Sequence, residues 1–560
     1  MELDFKIKNE YVDVLIIGGG LSGLFSTLNI DKNISVGIVS KKEMAKSGNT
    51  IISGASLSFL SNDVNKRDTK EKFFNDILES GKYINNTSLL KLFVQKSKTI
   101  KHKLEVYGIS FKKSNLGYGQ QPAGHSEPRY FSVDDTQLNL PFITKGLSLT
   151  LPLLNEINKN FKNVRYFNKV HIIKILINKK NRVYGAIGVD KLSNNLIYFH
   201  SKVVIIASGG AGKIYNNTNN TNDITCDSYG LAYESGAILK DMEFNQFFPT
   251  MISSPIRFNL PSTIFRKGAL LKNSFGDRFI KNYGVSNEIF ATRDLMSRAI
   301  FTEIKQGRGI DGQILLDLSN ITKEIWEKYS KKLYHMLKNC REFETKKIIL
   351  VKPSSHFFIG GINIDQYSST NIYGLLACGE SICGIHGANR LPGTALSEAI
   401  VFSTIAGETA TKISKNINLK RFTISAISKK DFVQKELLHG NIPITKNEIN
   451  IISRELRETM WNNAGIIKSN QGLLKALQII KNIKNKIESS TVNSLEDYSL
   501  LFELKNMILT SEMIIKGSLM RKESRGSHYR SDYPFLNNQF RGNYYFRKAN
   551  NLLKIIFKNL

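Results

Sequence analysis

The stretch "VDVLIIGGGLSGLFSTLNI", residues 12–30, decides the fold. Residues 12–17 form a mostly apolar run of strand length that passes directly into three glycines. After them Leu21, Leu24, Phe25 and Leu28 repeat at helical spacing. "SVGIVSKKE" (35–43) then reads as a second buried strand. Strand, glycine turn, helix and strand open a doubly wound sheet, with glycines at Gly18, Gly20 and Gly23. In that context they give a tight turn, close approach of backbone to a pyrophosphate, and close helix packing, with phosphate on the helix N-terminus. The second strand ends in Val39, Ser40 and Lys41 and lacks the acid that holds the ribose in many such sites. This weakens a plain NAD reading and leaves a flavin dinucleotide open.

A chain of 560 residues can bury a large core and implies several domains. Lys and Arg outnumber Asp and Glu by 78 to 48, but the excess is spread along the chain. No basic cluster interleaves with aromatics, so nucleic-acid binding is not expected. Cys226, Cys340, Cys378 and Cys383 show no metal-ligand spacing, so no metal is expected, and a reducing compartment fits. No apolar run approaches the length of a spanning helix. The expectation is a cytoplasmic protein, membrane-associated only through partner subunits.

"KVVIIASGGAGKIY" (202–215) and "NIYGLLACGES" (371–381) return to the strand-to-glycine junction, separated by roughly 150 residues. One nucleotide domain interrupted by an insertion is therefore expected. From about residue 411 the pattern turns helical and charged. The predicted fold is α/β: a doubly wound, Rossmann-like dinucleotide domain (1–234 and 351–410), an inserted α+β domain (235–350) and a C-terminal helical domain (411–540). The last residues, 541–560, read as a basic amphipathic helix packed on the body.

"GIHGANRLPGTALSEAIVFSTIAG" (384–407), "SSHFFIGGI" (354–362), "ATRDLMSRAIFTEI" (291–304) and "RKESRGSHYRSDYP" (521–534) carry a resemblance. Together they resemble the flavoprotein subunit family of succinate dehydrogenase, fumarate reductase and L-aspartate oxidase, from about residue 12 to 535. The resemblance implies FAD in the first domain, a capping domain at 235–350 that closes over the flavin, and substrate between them. It implies cofactor contacts at Ser40, Lys41, Ser47, Asn49, Thr50, Gly54, Ala207, Gly209, Gly210, Asp227, Glu380, Thr394 and Leu396, with Glu380 as ribose anchor. A helix starting near Thr394 would offer its positive end to the reduced flavin. Arg390 resembles the family arginine that grips a substrate carboxylate, His356 a second carboxylate-binding residue, and Arg293 the proton-transferring arginine. At "KSGNTIISG" (46–54), Asn49 stands where the family places the histidine of covalent attachment, so noncovalent FAD is expected.

The chain departs from the family at the far half of the substrate clamp. "QFFPT" replaces "QFHPT", putting Phe248 in place of a substrate-binding histidine, and Pro261, Ser262, Phe265 and Lys267 replace the Thr-Glu, Arg and Glu of the relay segment. A one-residue slip would make Arg266 the relay arginine. In "QPAGHSEPRYFSVDDT" (121–136), His125, Ser126 and Arg129 are kept, but Pro122 replaces the glutamate of aspartate oxidases. The expected function is FAD-dependent hydride transfer between flavin N5 and the α,β carbons of a small carboxylic acid, with an altered pocket and an iron–sulfur or other electron-transfer partner. The alternative is a flavin-binding protein of relay or assembly, part of a larger complex and without the substrate reaction.

Overall fold

The computed structural model describes residues 6–61, 66–112, 119–136, 138–254, 257–417, 440 and 442–560. Its centre is a parallel five-stranded sheet in the order Leu375–Ala377, Val203–Ile206, Val14–Ile17, Val36–Ser40, Val164–Asn168. The first three strands are fully buried, which is why they read as continuous apolar runs without alternation. Helix Leu21–Leu28 follows the glycine turn and packs on the long helix Thr394–Lys415. A Cβ at Gly407 would lie 2.4 Å from Ser26 O, so only glycine permits that approach. A second, four-stranded sheet, Ile7–Tyr11, Asn195–His200, Val183–Asp190 and Val170–Ile177, flanks this core.

The inserted region has a core of its own, built from Ile264, Phe265, Leu271, Ile300, Trp326 and Leu333 among others. It is organised around an antiparallel sheet in the order Phe258–Asn259, Asn245–Ile252, Ile348–Phe358, Ile314–Asp317, Leu270–Lys272. Two expected boundaries fall inside regular elements. Residue 350 lies within strand Ile348–Phe358, which starts in the cap and delivers His356 to the cofactor domain, and residue 410 lies within helix Thr394–Lys415. The helices Lys446–Ala464, Asn470–Glu488 and Leu495–Met520 pack together after it. Residues 418–439, part of the region read as helical, lie outside the described residues.

The last segment corrects the helical expectation. Gly542–Ala549 and Leu552–Asn559 form an antiparallel hairpin, joined by Asn550 and Asn551 with φ of 49° and 60°. Two central residues at positive φ suit a tight hairpin turn, and asparagine tolerates that conformation best after glycine. The aromatic and branched residues Tyr544, Tyr545, Phe546, Ile555, Ile556 and Phe557 then pair across the strands. The hairpin extends a small sheet through Leu239–Lys240.

Candidate active site

A cavity of about 1370 Å³ opens between the cofactor domain and the cap. Its wall includes Gly18, Gly20, Ser40, Lys41, Ser47, Asn49, Thr50, Gly54, Ala207, Gly209, Asp227, Glu380 and Leu396, and also Phe248, Arg293, His356 and Arg390. Three residues expected at the cofactor lie off the wall and act in packing. A Cβ at Gly23 would lie 1.9 Å from Gly18 O, one at Gly210 would meet Glu380 Oε1 at 2.6 Å, and the Thr394 hydroxyl donates to Leu391 O at 2.8 Å. Gly18 itself has φ of +124° and abuts Ala207 O, so the turn requires glycine twice over.

Lys41 and Asp227 reach the cavity with their charges already compensated. Lys41 Nζ pairs with Asp227 at 2.8 Å and Glu503 at 2.9 Å. Burial opposes its charge, but the two carboxylates outweigh burial and hold the ammonium above its ordinary range. Asp227 is likewise held low against burial by Lys41 and His171.

Glu380 is different. Burial pushes its carboxyl up to about 7, although Phe358 N–H and Asn49 Nδ2 both donate to it at 3.1 Å. Beside it helix Thr394–Lys415 begins at Gly393, φ 80°, with no side-chain cap: Thr394 N–H turns back to Leu391 O at 3.4 Å, and the amides of Ala395 and Leu396, which line the cavity, meet no capping side chain among the described residues. A glycine-lined wall, a donor-seeking carboxyl and an uncapped helix start fit a flavin dinucleotide.

The substrate candidates converge on the same space. Arg390 is buried, its guanidinium lies 4.6 Å over the Phe357 ring, and among the described residues its Nη1 donates only to Leu391 O, at 3.3 Å. Arg293, the first residue of helix Arg293–Lys305, donates to Gln246 Oε1 at 3.4 Å and sits 5.1 Å over the Phe248 ring. The Nε groups of both arginines are buried without partners among the described residues. Burial, then Arg293, pushes Arg390 down to about 9, and burial also lowers Arg293. His356 is held well below the usual imidazole range by burial and by both arginines. Its Nδ1 lies 3.2 Å from Asn219 Oδ1, an atom that only accepts, so Nδ1 carries the proton and Nε2 is bare in the neutral ring. Two buried cations without an acid partner among the described residues, around a cavity, are what a carboxylate would complement.

Two family models match: "FAD binding domain" over residues 13–396 and "Fumarate reductase flavoprotein C-term" over 453–556. The chain belongs to the fumarate reductase, succinate dehydrogenase and L-aspartate oxidase flavoprotein family. It is an FAD-dependent oxidoreductase. An uncharacterised FAD-dependent oxidoreductase of Methanocaldococcus jannaschii is 35% identical over 95% of both chains. A subunit of the fumarate reductase (CoM/CoB) of Methanothermobacter marburgensis is 32% identical over 93% of this chain and 94% of its own. The L-aspartate oxidase of Acinetobacter baylyi is 30% identical over 95% and 96%. Mycobacterium smegmatis Sdh1 superposes with a TM-score of 0.84 at 27% identity, covering 98% of this chain and 94% of that one.

Several departures of this flavoprotein from its family now have a physical account. Phe248, 4% exposed, is wedged between the Arg293 guanidinium and the His356 ring, 5.2 Å from the latter, and faces the cavity. Arg266 is exposed and off the cavity wall, so the one-residue slip does not rescue a relay arginine. Phe265 is buried in the cap core, while Thr263, unremarked in the sequence, bonds Tyr329 Oη at 2.8 Å on the cavity wall. No helix among the described residues is long and apolar enough to cross a membrane.

The "GHSEPR" segment braces the Arg390 loop. Arg129 is buried in ion pairs with Asp68, 2.6 Å, and Asp76, and Ser126 also bonds Asp76. His125 Nε2 lies 3.0 Å from Pro392 O and must donate to it, and burial, with Arg129 next, pushes this imidazole down to about 4. Sequence reasoning missed Gln246, whose Nε2 donates to Arg390 O at 2.8 Å and Asn389 Oδ1 at 2.9 Å while its Oε1 faces Arg293. The usable signal was its position two residues before Phe248 in a strand, the spacing of side chains on one face.

Proposed function

We propose that this flavoprotein transfers a hydride between FAD and the α,β carbons of a small carboxylic acid held by one carboxylate and neutral at its far end. The observation that supports this most directly is the convergence of Arg390, Arg293 and His356, unpaired with any acid among the described residues, on the cavity that Glu380 and the uncapped helix also line. Relatives named for fumarate and for L-aspartate agree with a small carboxylic acid, although both of those acids carry the second carboxylate that Phe248 displaces here.

Gly18, Gly20, the amides at 395–396 and Glu380 would hold the dinucleotide noncovalently, Asn49 having no nucleophilic ring. Bound FAD supplies N5 as hydride donor or acceptor. Arg390 presents its planar fork to the substrate carboxylate, whose charge relieves the repulsion from Arg293. Arg293, lowered by burial, exchanges the proton at the carbon opposite the hydride. His356 takes up a proton at Nε2 to meet the same anion. Phe248 fills the place of a second carboxylate contact and favours an acid whose other end is apolar or neutral. Electrons reach or leave the flavin through a partner of the iron–sulfur or similar electron-transfer class, in keeping with a relative that is named as one subunit of a larger reductase.

The test is anaerobic. The photoreduced holoprotein is mixed with fumarate, crotonate and cinnamate in turn, and return of the oxidised flavin spectrum is followed. Reoxidation fastest with a monocarboxylate supports the reading. No reoxidation by any 2-enoic acid, together with no flavin reduction by the saturated acids, would overturn it in favour of a relay subunit.

A further inference from the structure

Among the described residues the Arg390 guanidinium meets only Leu391 O and the Phe357 ring, so its fork is aimed by its backbone. The loop that carries it, residues 384–393, is pinned at successive main-chain groups. Ile385 O accepts from Asn85 Nδ2 at 2.7 Å, and Ala388 N donates to Gly81 O at 2.9 Å. Arg390 O is held by Gln246, and Pro392 O by His125 and by Ser58 Oγ at 2.9 Å. One pin comes from the C-terminal side, beyond the three packed helices. Ala388 O accepts two bonds from Ser527, from its amide at 2.9 Å and its hydroxyl at 3.1 Å. Gly526, φ +56°, lies so close that a Cβ there would sit 2.4 Å from the same oxygen. Arg525 Nη1 donates to Lys82 O at 2.8 Å, gripping the turn next to Gly81.

The segment making these contacts is itself rigid. Arg525 N–H and His528 O, and His528 N–H and Arg525 O, close a tight turn at 2.8 and 3.0 Å. Glu523 lies fully buried between Arg521 and Arg525, at 3.0 and 2.7 Å, and Arg521 pairs onward with Glu243 at 2.7 Å. Glu243 precedes the strand that bears Gln246 and Phe248. A buried ion network costs desolvation and yields little net stability, but it fixes geometry.

We propose that the C-terminal turn Glu523–His528 is a positioning element for the substrate-binding arginine, with Gly526 and Ser527 setting Arg390 through the carbonyl of Ala388. This rests on the reading of Arg390 as the carboxylate arginine. It gives a role to the "RKESRGSHYRSDYP" stretch, whose residues stand off the cavity wall. The C-terminal domain thereby acts on substrate affinity without touching substrate or flavin.

The experiment uses full-length holoprotein carrying Ser527→Ala, Ser527→Thr or Gly526→Ala. Crotonate is titrated against the flavin absorbance, and hydrogen exchange of residues 385–393 is measured without any acid present. Loss of one hydroxyl bond should weaken crotonate binding about three- to tenfold in Ser527→Ala, with Ser527→Thr near wild type. FAD content should stay unchanged, and the rise should fall in KM more than in kcat. Gly526→Ala should weaken binding further. Exchange in 385–393 should quicken in both Ala variants, even if no acid proves to be a ligand. Unchanged exchange overturns the proposal, as does wild-type crotonate affinity in both Ala variants. A wild-type protein deaf to every acid, with quickened exchange in the variants, instead removes the carboxylate reading and leaves the loop-positioning role standing.

Discussion

Replacing Phe248 with histidine tests whether this ring excludes a second carboxylate. The ring has the Arg293 guanidinium 5.1 Å from its centroid on one side and the His356 ring 5.2 Å away on another, and it is almost fully buried. An imidazole there would be buried like His356 and near the same two arginines, so it would be neutral in the empty pocket. Only a second carboxylate would give it a partner. A hydrogen bond to a charged group contributes about 1.5–3 kcal/mol, while the cation–π contact with Arg293 is lost from the empty and the occupied pocket alike and cancels in the affinities of both acids. The gain for a dicarboxylate is then about 1.5–3 kcal/mol, roughly ten- to hundredfold in affinity, and nothing for crotonate. Titrating succinate and crotonate against the flavin absorbance of both proteins gives the two ratios. Tight succinate binding by the unaltered protein would refute the reasoning, and so would an equal change for both acids in an FAD-replete variant.

Three further outcomes follow from the same geometry. Arg293→Lys keeps a cation but loses the fork and the lowered guanidinium, and its kcat should fall at least ~100-fold, the usual weight of a positioned acid–base group, with FAD retained. Acid precipitation of the holoprotein should leave yellow colour in the supernatant, because Asn49 donates to Asn220 and Glu380 and offers no nucleophile. Carboxylate binding should weaken as pH rises. His356 is unprotonated in the free site and gains a proton beside the anion, so affinity is fullest below the low free-site pKa and is lost as pH climbs through the raised pKa of the complex. A crotonate dissociation constant flat from pH 5 to 8 would show that His356 makes no such contact.

The cofactor half was legible because local chemistry dictates it. Glycines at 18 and 23 are forced by backbone contacts within a strand–turn–helix unit, and such units keep their spacing in sequence. The substrate half was legible only as isolated residues. Arg293 and Arg390 stand nearly 100 residues apart, and nothing in periodicity says that Gln246 ties them together. The last hairpin was misread because "YFRKANNLLKIIFKNL" has helical charge spacing as well as strand-like aromatics. Pairing with Leu239–Lys240, a contact across about 300 residues, decides for strand. Arg266 failed for a plainer reason: a single-residue slip is tolerated on paper, but the turn at Ser262–Lys267 buries Phe265 in the cap and turns Arg266 to solvent.

The choice between an enzyme and a relay protein turns on charge. A pocket that had lost its substrate would be expected to close over apolar residues or to pair its arginines with acids, since unpaired buried cations are costly. Phe248 alone fits that expectation. Arg390, lowered to about 9, and the Nε groups of both arginines, unpartnered among the described residues, do not: they are kept in an unfavourable state that a carboxylate would relieve. The anchoring is also lavish for a vestige, because the loop of Arg390 has its backbone pinned from the cofactor domain, the cap and the C-terminal turn while its guanidinium meets no acid among the described residues. Backbone precision spent on a side chain with nothing to bind has no structural return. The same precision on a side chain that must meet one carboxylate beside a flavin is what hydride transfer between fixed atoms requires.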